Sequence, residues 1–415
     1  PPSLFQSEDG IRYLDSCLVG SVLCIRDSIE KFDRNVAGKK LIADKGHVSF
    51  SPLGAEESPG VAEVQTTLRE MGFLPGSRID GICGYRTQSS IRLFQEYVRS
   101  IEKLACVPDG ILGPKTLAHL NRWRDAGTRA SWQPVLAAWE DKSLARDSSN
   151  EFNNWLQYLE ELKAHYQASP TPALKLVNAY NRSSDTLKVA DWDFSPEHVH
   201  LVGIRYGAEN TTHKFDDVLI LLIKGLCFMF QASTDPGYTR HPNGAPFLVQ
   251  GQHRYQFGLH QRKYHALRPA RHGVLVVRSK GDYKFTNEDL KNGLEVNQTI
   301  NIHWGGKGVG RPVNRWSEGC QIIAGTGYRN HQTSVVDCAD HVAINNGEVK
   351  SRATKKTRGA YNVLSDLINA LSSGIEPIGQ VKYMLLLEDD LRLNSHIENL
   401  VERSRGEARR LYPIR

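Results

Sequence analysis

One turn, written twice, constrains this chain more than any other feature. Asp80-Gly81-Ile82-Cys83-Gly84-Tyr85-Arg86-Thr87 returns 29 residues later as Asp109-Gly110-Ile111-Leu112-Gly113-Pro114-Lys115-Thr116. In the shared pattern D-G-I-x-G-x-[R/K]-T, Asp and Gly make a tight turn and the apolar residue plugs a core. Glycine permits a left-handed backbone, and Thr is placed to cap the next helix. Helical spacing surrounds both copies. Val61, Val64, Leu68 and Met71 predict a helix that ends near Gly72. Ile91, Phe94 and Val98 predict a second over 87–101, and Leu117, Leu120 and Trp123 a third. Residues 56–126 therefore read as three short helices around two copies of one turn.

This segment resembles the peptidoglycan-binding module carried by many cell-wall enzymes. The resembling residues are Val64-Gln65-Thr66-Thr67-Leu68, Gly72-Phe73, Asp80-Gly81-Ile82, Thr87, Phe94-Gln95 and Asp109-Gly110-Ile111-Leu112-Gly113. The resemblance implies a small three-helix bundle that binds the glycan or the stem peptide of peptidoglycan. It departs from the family at Cys83, where a bulky apolar residue is usual. Cys106 precedes the second turn in the matching place, so a Cys83–Cys106 bridge is expected, with two buried free thiols as the alternative. The seven cysteines, at 17, 24, 83, 106, 227, 320 and 338, contain no CxxC pair, which disfavours structural zinc. An oxidising compartment would suit three bridges and one free thiol; a reducing one would leave all seven as thiols.

At 415 residues the chain is too long for one ordinary core. A composition 40% hydrophobic and 24% charged excludes wholesale disorder, collagen and coiled coil. The longest apolar run, Val218 to Phe230, is interrupted by Lys224 and Gly225 and is too short to span a bilayer. The chain begins at Pro1, so processing or trimming is expected, and a lost export signal is compatible with it. A net charge of +6 favours anionic surfaces, but no basic stripe interleaved with aromatics points to nucleic acid. Basic spots at Arg352–Arg358 and Arg403–Arg415 read as solvated faces or tails.

The fold class expected is multidomain α+β. Residues 1–55 carry no assigned function. Residues 127–190 read as a helical connector or a brace for the next domain, with Trp132, Val135, Trp139, Trp155, Tyr158, Leu159 and Leu162 on apolar faces and a break at Ser169-Pro170-Thr171-Pro172. Residues 191–390 alternate short apolar runs with turn residues, the rhythm of a mostly-β domain with one late helix at 361–371. Residues 391–415 read as a charged helix and tail.

Chemistry concentrates in Ile300-Asn301-Ile302-His303-Trp304-Gly305-Gly306 and Val313-Asn314-Arg315-Trp316-Ser317-Glu318-Gly319-Cys320-Gln321-Ile322-Ile323. His303 closes a predicted strand and Cys320 opens another 17 residues on, with a glycine-rich loop between them. A thiol and an imidazole brought together this way can share a proton, and the thiolate is the nucleophile. Gly319 keeps side-chain bulk away, so the N–H groups of Glu318, Gly319 and Cys320 are candidates to face an oxyanion.

This pair resembles the L,D-transpeptidase (YkuD-type) catalytic domain, in which a strand-ending His precedes a S-H-G-C motif. The resemblance implies Cys320 as nucleophile, His303 as base, Gly319 and Ser317 as motif residues, and the carbonyl of Trp304 as the group orienting the imidazole. Glu318 replaces the motif's second His, and Ile322 stands where the family has an Arg. The stretches Val202-Gly203-Ile204-Arg205, Ser233-Thr234-Asp235-Pro236-Gly237 and Gly258-Leu259-His260 fit a divergent branch of that fold. His260, Tyr264, Glu318 and Arg315 are candidates to line the substrate cleft. The implied function is a wall-targeted cysteine enzyme acting on stem peptides, in the periplasm or outside the cell, with no cofactor, no nucleic acid and no membrane span. The first alternative is a zinc peptidase or amidase using His253, His260 and His265 with Asp235, although HExxH is absent. The second is a non-catalytic wall anchor.

Overall fold

The structure is a computed structural model. It describes residues 59–142, 150–207, 215–237, 239, 241–261, 264–280, 285–306, 313, 317–345, 355–372 and 380–411. The expectations for residues 1–55, including Cys17 and Cys24, and for Arg315 fall outside them.

The doubled turn organises the first part. Helices α1 (Pro59–Glu70), α2 (Tyr85–Ser100) and α3 (Pro114–Asp125) flank the two copies. A buried glutamine clamps each copy in the same way. Gln65 Nε2 donates to Asp80, to the Ile82 carbonyl and to Thr87, while its Oε1 accepts from the N–H groups of Asp80 and Gly81. Gln95 Nε2 does likewise with Asp109, the Ile111 carbonyl and Thr116, and its Oε1 accepts from Gly110 N–H. Gly81 and Gly110 have φ of 67° and 80°, the left-handed region glycine tolerates. The threonines do not cap. The residues flanking α2 and α3 on their N-terminal side are Gly84 and Gly113, and Thr87 and Thr116 lie inside the first turn, where their hydroxyls reach back to the turn carbonyls.

Cys83 and Cys106 are both free and buried, so the expected bridge is absent. Cys83 takes the core position that Leu112 fills in the second copy. It sits beside the N-terminus of α2, whereas the second turn docks on Gln95, ten residues further along, or about 15 Å at 1.5 Å per residue. A disulfide needs the two Cα atoms within about 7 Å.

Residues 127–190 divide between two cores, and their second part braces the β domain. Trp132 precedes α4 (Gln133–Glu140) and packs edge-on against Phe73, its ring centroid 5.2 Å away, and against Tyr97. Its Nε1–H donates to the Gly72 carbonyl. Helix α5 (Glu151–Ala168) and α6 (Pro172–Ala179) belong to the β domain.

That domain is an eight-stranded barrel. Strands β1 (His200–Arg205), β2 (Asp217–Ile223), β3 (Leu226–Ser233), β4 (Ala245–Leu248), β5 (Gly251–His260), β6 (Tyr264–Pro269), β7 (Val274–Ser279), β8 (Glu295–Asn297), β9 (Ile302–Trp304) and β10 (Gln321–Arg329) are followed by β11 (Val335–Asp337), β12 (Val342–Asn345) and β13 (Lys355–Arg358). Helix α7 (Ala360–Leu371), β14 (Gln380–Leu387), the short α8 (Glu388–Leu391) and α9 (Ser395–Leu411) complete the chain. The barrel order is β10-β3-β2-β1-β14-β5-β6-β9, closed by β9 pairing with β10. The β1–β14 and β9–β10 pairs are parallel; the others are antiparallel. Strand β11 extends β10 outside the ring, β12–β13 form a hairpin, and β4-β7-β8 form a small second sheet.

The apolar run at 218–230 is the β2–β3 hairpin. Lys224 and Gly225 turn it with positive φ, and Lys224 lies over the Trp139 ring. The run lacks polar alternation because both faces of β2 are covered. Leu219, Leu221, Phe228 and Phe230 face the interior, with Leu201, Tyr255, Leu267, Ile302, Ile323 and Tyr383 from the other strands. Val218, Ile220, Leu222 and Met229 face outward against Trp155 and Leu159 of α5 and Ile397 and Val401 of α9. The C-terminal helix is thus part of the fold, and within its basic stretch Arg405 stacks on Tyr206 instead of being solvated.

Helix α7 is buried along its whole length between the barrel interior and α2. Across this contact Arg92 of α2 makes a bidentate pair with Asp366 of α7, at 2.8 and 2.6 Å. His341 Nε2 lies 2.7 Å from the same carboxylate, and Glu96 of α2 lies on its other side. One apolar cluster runs from Val61 through this contact into the barrel. Burial alone would raise the Asp366 pKa, but Arg92 and His341 outweigh it and hold it down to about 2. A carboxylate depressed in the fold adds stability above its ordinary pKa and loses it as pH falls through the folded value. Removing one partner of a buried pair costs about 3–5 kcal/mol. Asp366→Asn is therefore expected to lose about that much in urea unfolding at neutral pH, and to lose the part of the acid dependence that falls between about pH 4 and pH 2. A variant as stable as the parent would contradict this view of the contact.

Candidate active site

Parallel pairing of β9 with β10 sets His303 opposite Ile322 and Ile302 opposite Gln321. Successive residues of a strand face opposite sides. Ile302, Trp304 and Ile323 point into the barrel, so His303 and Ile322 point out, and Cys320 points out with Ile322, against which it packs. The thiol and the imidazole thus stand on one face of neighbouring strands.

His303 Nδ1 lies 2.9 Å from the Trp304 carbonyl and 3.1 Å from the Tyr264 hydroxyl. A carbonyl only accepts, so Nδ1 carries the hydrogen, and in the neutral ring the lone pair is on Nε2. The His260 ring stacks on His303, with centroids 4.1 Å apart, and Tyr264 packs beside both. Asn301 joins the two sides of the site. Its backbone N–H donates to Cys320 Sγ at 3.4 Å, and its side-chain nitrogen lies 3.1 Å from His260 Nδ1. The Cys320 thiol donates to the Thr299 carbonyl at 3.3 Å.

The loop before the nucleophile candidate is held from within. Ser317 Oγ donates to the Cys320 carbonyl at 2.6 Å and accepts from Gly319 N–H at 3.0 Å. Gly319 has φ of 149°, and a Cβ there would sit 2.6 Å from Pro246 Cγ and 2.7 Å from Pro246 O. No other residue fits. Because Gly319 N–H is already bonded to Ser317, it is withdrawn from the expected set of oxyanion donors.

Burial pushes the Cys320 thiol up to about 11; the Asn301 N–H opposes this, Glu318 adds to it, and Arg268 pulls back. The resting Cys320 is a neutral thiol. Arg268 escaped sequence reasoning, as did Asn301. Arg268 comes from β6, and its stem passes over Gly258, where a Cβ would lie 2.8 Å from Arg268 Cδ. Ile322, where the resemblance would lead one to expect an Arg, is fully buried among Phe215, Val313 and Ala324, a setting with no space for a guanidinium. The signal for Asn301 was present: two residues before His303 on a strand, it shares that residue's face.

The three-histidine alternative does not assemble. His253 is buried, with Nδ1 against the Thr186 hydroxyl and Nε2 against the Val249 carbonyl. It is seven residues from His260 along β5, about 23 Å at strand rise. His265 follows Tyr264, the cross-strand partner of His260, and so faces the other way. Asp235 is paired with Arg205. Among the described residues no group of three His, Cys, Asp or Glu is placed to hold a metal. A recess elsewhere on the barrel, lined by Asp216, Gln231, Tyr328 and Arg405, contains none of the site residues.

Comparison with known families matches residues 57–120 to PG_binding_1, a peptidoglycan binding domain. The doubled turn therefore belongs to a peptidoglycan-binding domain, which ties the chain to the cell wall and supports peptidoglycan as its partner. Comparison with curated proteins and with solved structures gave no significant match. No helix among the described residues is long and apolar enough to cross a membrane.

Below its pKa a thiol gains thiolate about tenfold per pH unit. With the Cys320 pKa at about 11, its alkylation by iodoacetamide is expected to keep rising from pH 7 to pH 9 without levelling, and to be faster in Glu318→Gln. Peptide mass mapping measures this, and a plateau near neutral pH would contradict the geometry.

Proposed function

We propose that this protein is a peptidoglycan-modifying cysteine enzyme of the L,D-transpeptidase type, working in the periplasm or outside the cell. The observation that carries the reading is the position of Cys320 and His303 on one face of β9 and β10, with the imidazole tautomer set by the Trp304 carbonyl. A peptidoglycan-binding domain on the same chain supports peptidoglycan as the substrate class.

In this reading Cys320 Sγ attacks a stem-peptide amide carbonyl as its proton passes to His303 Nε2. The tetrahedral oxyanion is met by N–H groups of the 318–320 segment other than that of Gly319. Its collapse breaks the C–N bond, and the leaving amine takes the proton from His303. The product is a thioester on Cys320. An amine of a second stem resolves it into a cross-link; water, losing its proton to His303, resolves it into a carboxylate. Transfer and hydrolysis differ only in which acceptor reaches the thioester. The stacked His260 and the Tyr264 hydroxyl hold the His303 ring, and Glu318 and Arg268 set the charge near the sulfur. The elevated thiol pKa favours one competing reading, a wall-binding protein whose Cys320 is inert.

Muropeptide analysis by mass spectrometry, after incubation with purified sacculi, separates the two. Cys320→Ala is expected to abolish any change in the muropeptide profile, by at least about 10³-fold in rate, while sacculus pull-down stays at the parent level. An unchanged profile with the parent protein, or full activity in the variant, would favour the inert thiol.

A further inference from the structure

Two sequence stretches that the proposed chemistry leaves unused, Val202-Gly203-Ile204-Arg205 and Ser233-Thr234-Asp235-Pro236-Gly237, meet the residue after Cys320 inside the barrel wall. Gln321 is fully buried, as are Thr234 and Tyr383. Gln321 Nε2 donates to the Gly319 carbonyl at 3.2 Å and to the Thr234 carbonyl at 3.3 Å. Its Oε1 accepts from the Tyr383 hydroxyl at 3.1 Å. The tyrosine reaches this place because residue 203 is glycine: a Cβ there would stand 2.2 Å from Tyr383 Oη.

The other end of the network is charged. Arg205 donates to the Thr234 carbonyl at 2.7 Å, to the Thr234 hydroxyl at 3.2 Å and to the Leu248 carbonyl at 3.0 Å, and pairs with Asp235 at 2.9 Å. Asp217 accepts from the Thr234 N–H and hydroxyl at 2.6 and 2.8 Å and from Tyr206 N–H at 2.9 Å. Three residues past Thr234, Gly237 N–H donates to the Ser317 carbonyl at 2.8 Å. The 234–237 loop thus grips the segment 317–321 at both ends, through Ser317 and through Gln321, with Cys320 between them.

We propose that this buried network, anchored by Arg205 and Asp217 and relayed by Thr234, Gln321 and Tyr383, is the positioning element that aims Cys320. The inference rests on Cys320 being the nucleophile of the proposed function. Gln321 and Tyr383 are positioning residues; neither needs to touch substrate. Burial with every polar atom bonded is what fixes such a network in one arrangement. A buried glutamine next to a nucleophile has no packing reason to replace an aliphatic residue in a barrel interior, and its two carbonyl acceptors give it a geometric one.

The test removes single polar groups. Tyr383→Phe deletes one hydroxyl, and Gln321→Met keeps volume while deleting the relay. In each variant the iodoacetamide rate at Cys320 is read by peptide mass mapping, with buried Cys227 and Cys338 as internal reporters of unfolding. Turnover on soluble muropeptides is read alongside. Misplacing a reacting group by about 1 Å can cost on the order of 10²-fold, so we expect kcat to fall about tenfold or more with KM within about twofold. We also expect the Cys320 alkylation rate to change at least about threefold while Cys227 and Cys338 stay protected. If Gln321→Met fails to fold, Tyr383→Phe carries the test. A native Cys320 rate in a folded variant overturns the proposal. A changed rate in a protein whose parent shows no turnover sustains the network's role and sinks the catalytic reading, so the two failures are distinct.

Discussion

Closure of the barrel by parallel pairing of β9 with β10 is the contact on which the rest depends. Without it the sheet would end in two open edges, exposing unpaired N–H and C=O groups along Ile302–Trp304 and Gln321–Ile323. With it the interior becomes a continuous apolar space that α7 fills. The same pairing sets the register that brings Asn301 N–H to the Cys320 sulfur and His303 one rung further along the same face. Stability and site geometry are thus two consequences of one set of hydrogen bonds, and a register slip of one residue would turn His303 into the core.

The wall-binding part is fused to this barrel rather than hung from it. Trp132 packs against Phe73 of the first core and also lies 6.4 Å, ring to ring, from Phe228 of β3. Arg92 and Asp366 neutralise each other where neither can reach water, an arrangement that is costly to break from either side. Because α7 contacts β9 and β10 as well as α2, the module and the candidate site share a rigid intermediary. A peptidoglycan strand held by the module would therefore meet the barrel in a fixed orientation, a stronger constraint than a raised local concentration.

Local signals were the legible ones. The repeated turn announced its own structure because Asp, Gly and an apolar plug act within eight residues. Helix α7 was legible in its spacing, whereas 218–230 read as one interrupted apolar run and turned out to be the β2–β3 hairpin. What needed distant partners stayed hidden. Thr87 looked like a cap because Gln65, which actually engages its hydroxyl, lies on another helix. Cys83 and Cys106 looked like a pair because equivalence between repeats says nothing about their separation along α2. Strand β6, Tyr264–Pro269, mixes His, Arg and Pro with its apolar residues and has no clean alternation, so Arg268 went unseen. At the candidate site, Cys320 and His303 were legible as a pair in one strand–loop–strand segment, and the resemblance pointed to the Trp304 carbonyl, Ser317 and Gly319. Asn301 was signalled by its spacing from His303, whereas the stacking of His260 on His303 required the barrel to close.

The central claim is that the Cys320 sulfur becomes acylated by a stem peptide with His303 as the base. Acid-quenched intact-mass spectrometry, after brief exposure to a purified disaccharide–peptide, tests it most directly. The expected result is a hydroxylamine-labile adduct with the mass of the acyl fragment, mapped to the Cys320 peptide and lost in His303→Ala. An unmodified Cys320 peptide in a protein that nevertheless alters the substrate would contradict the account.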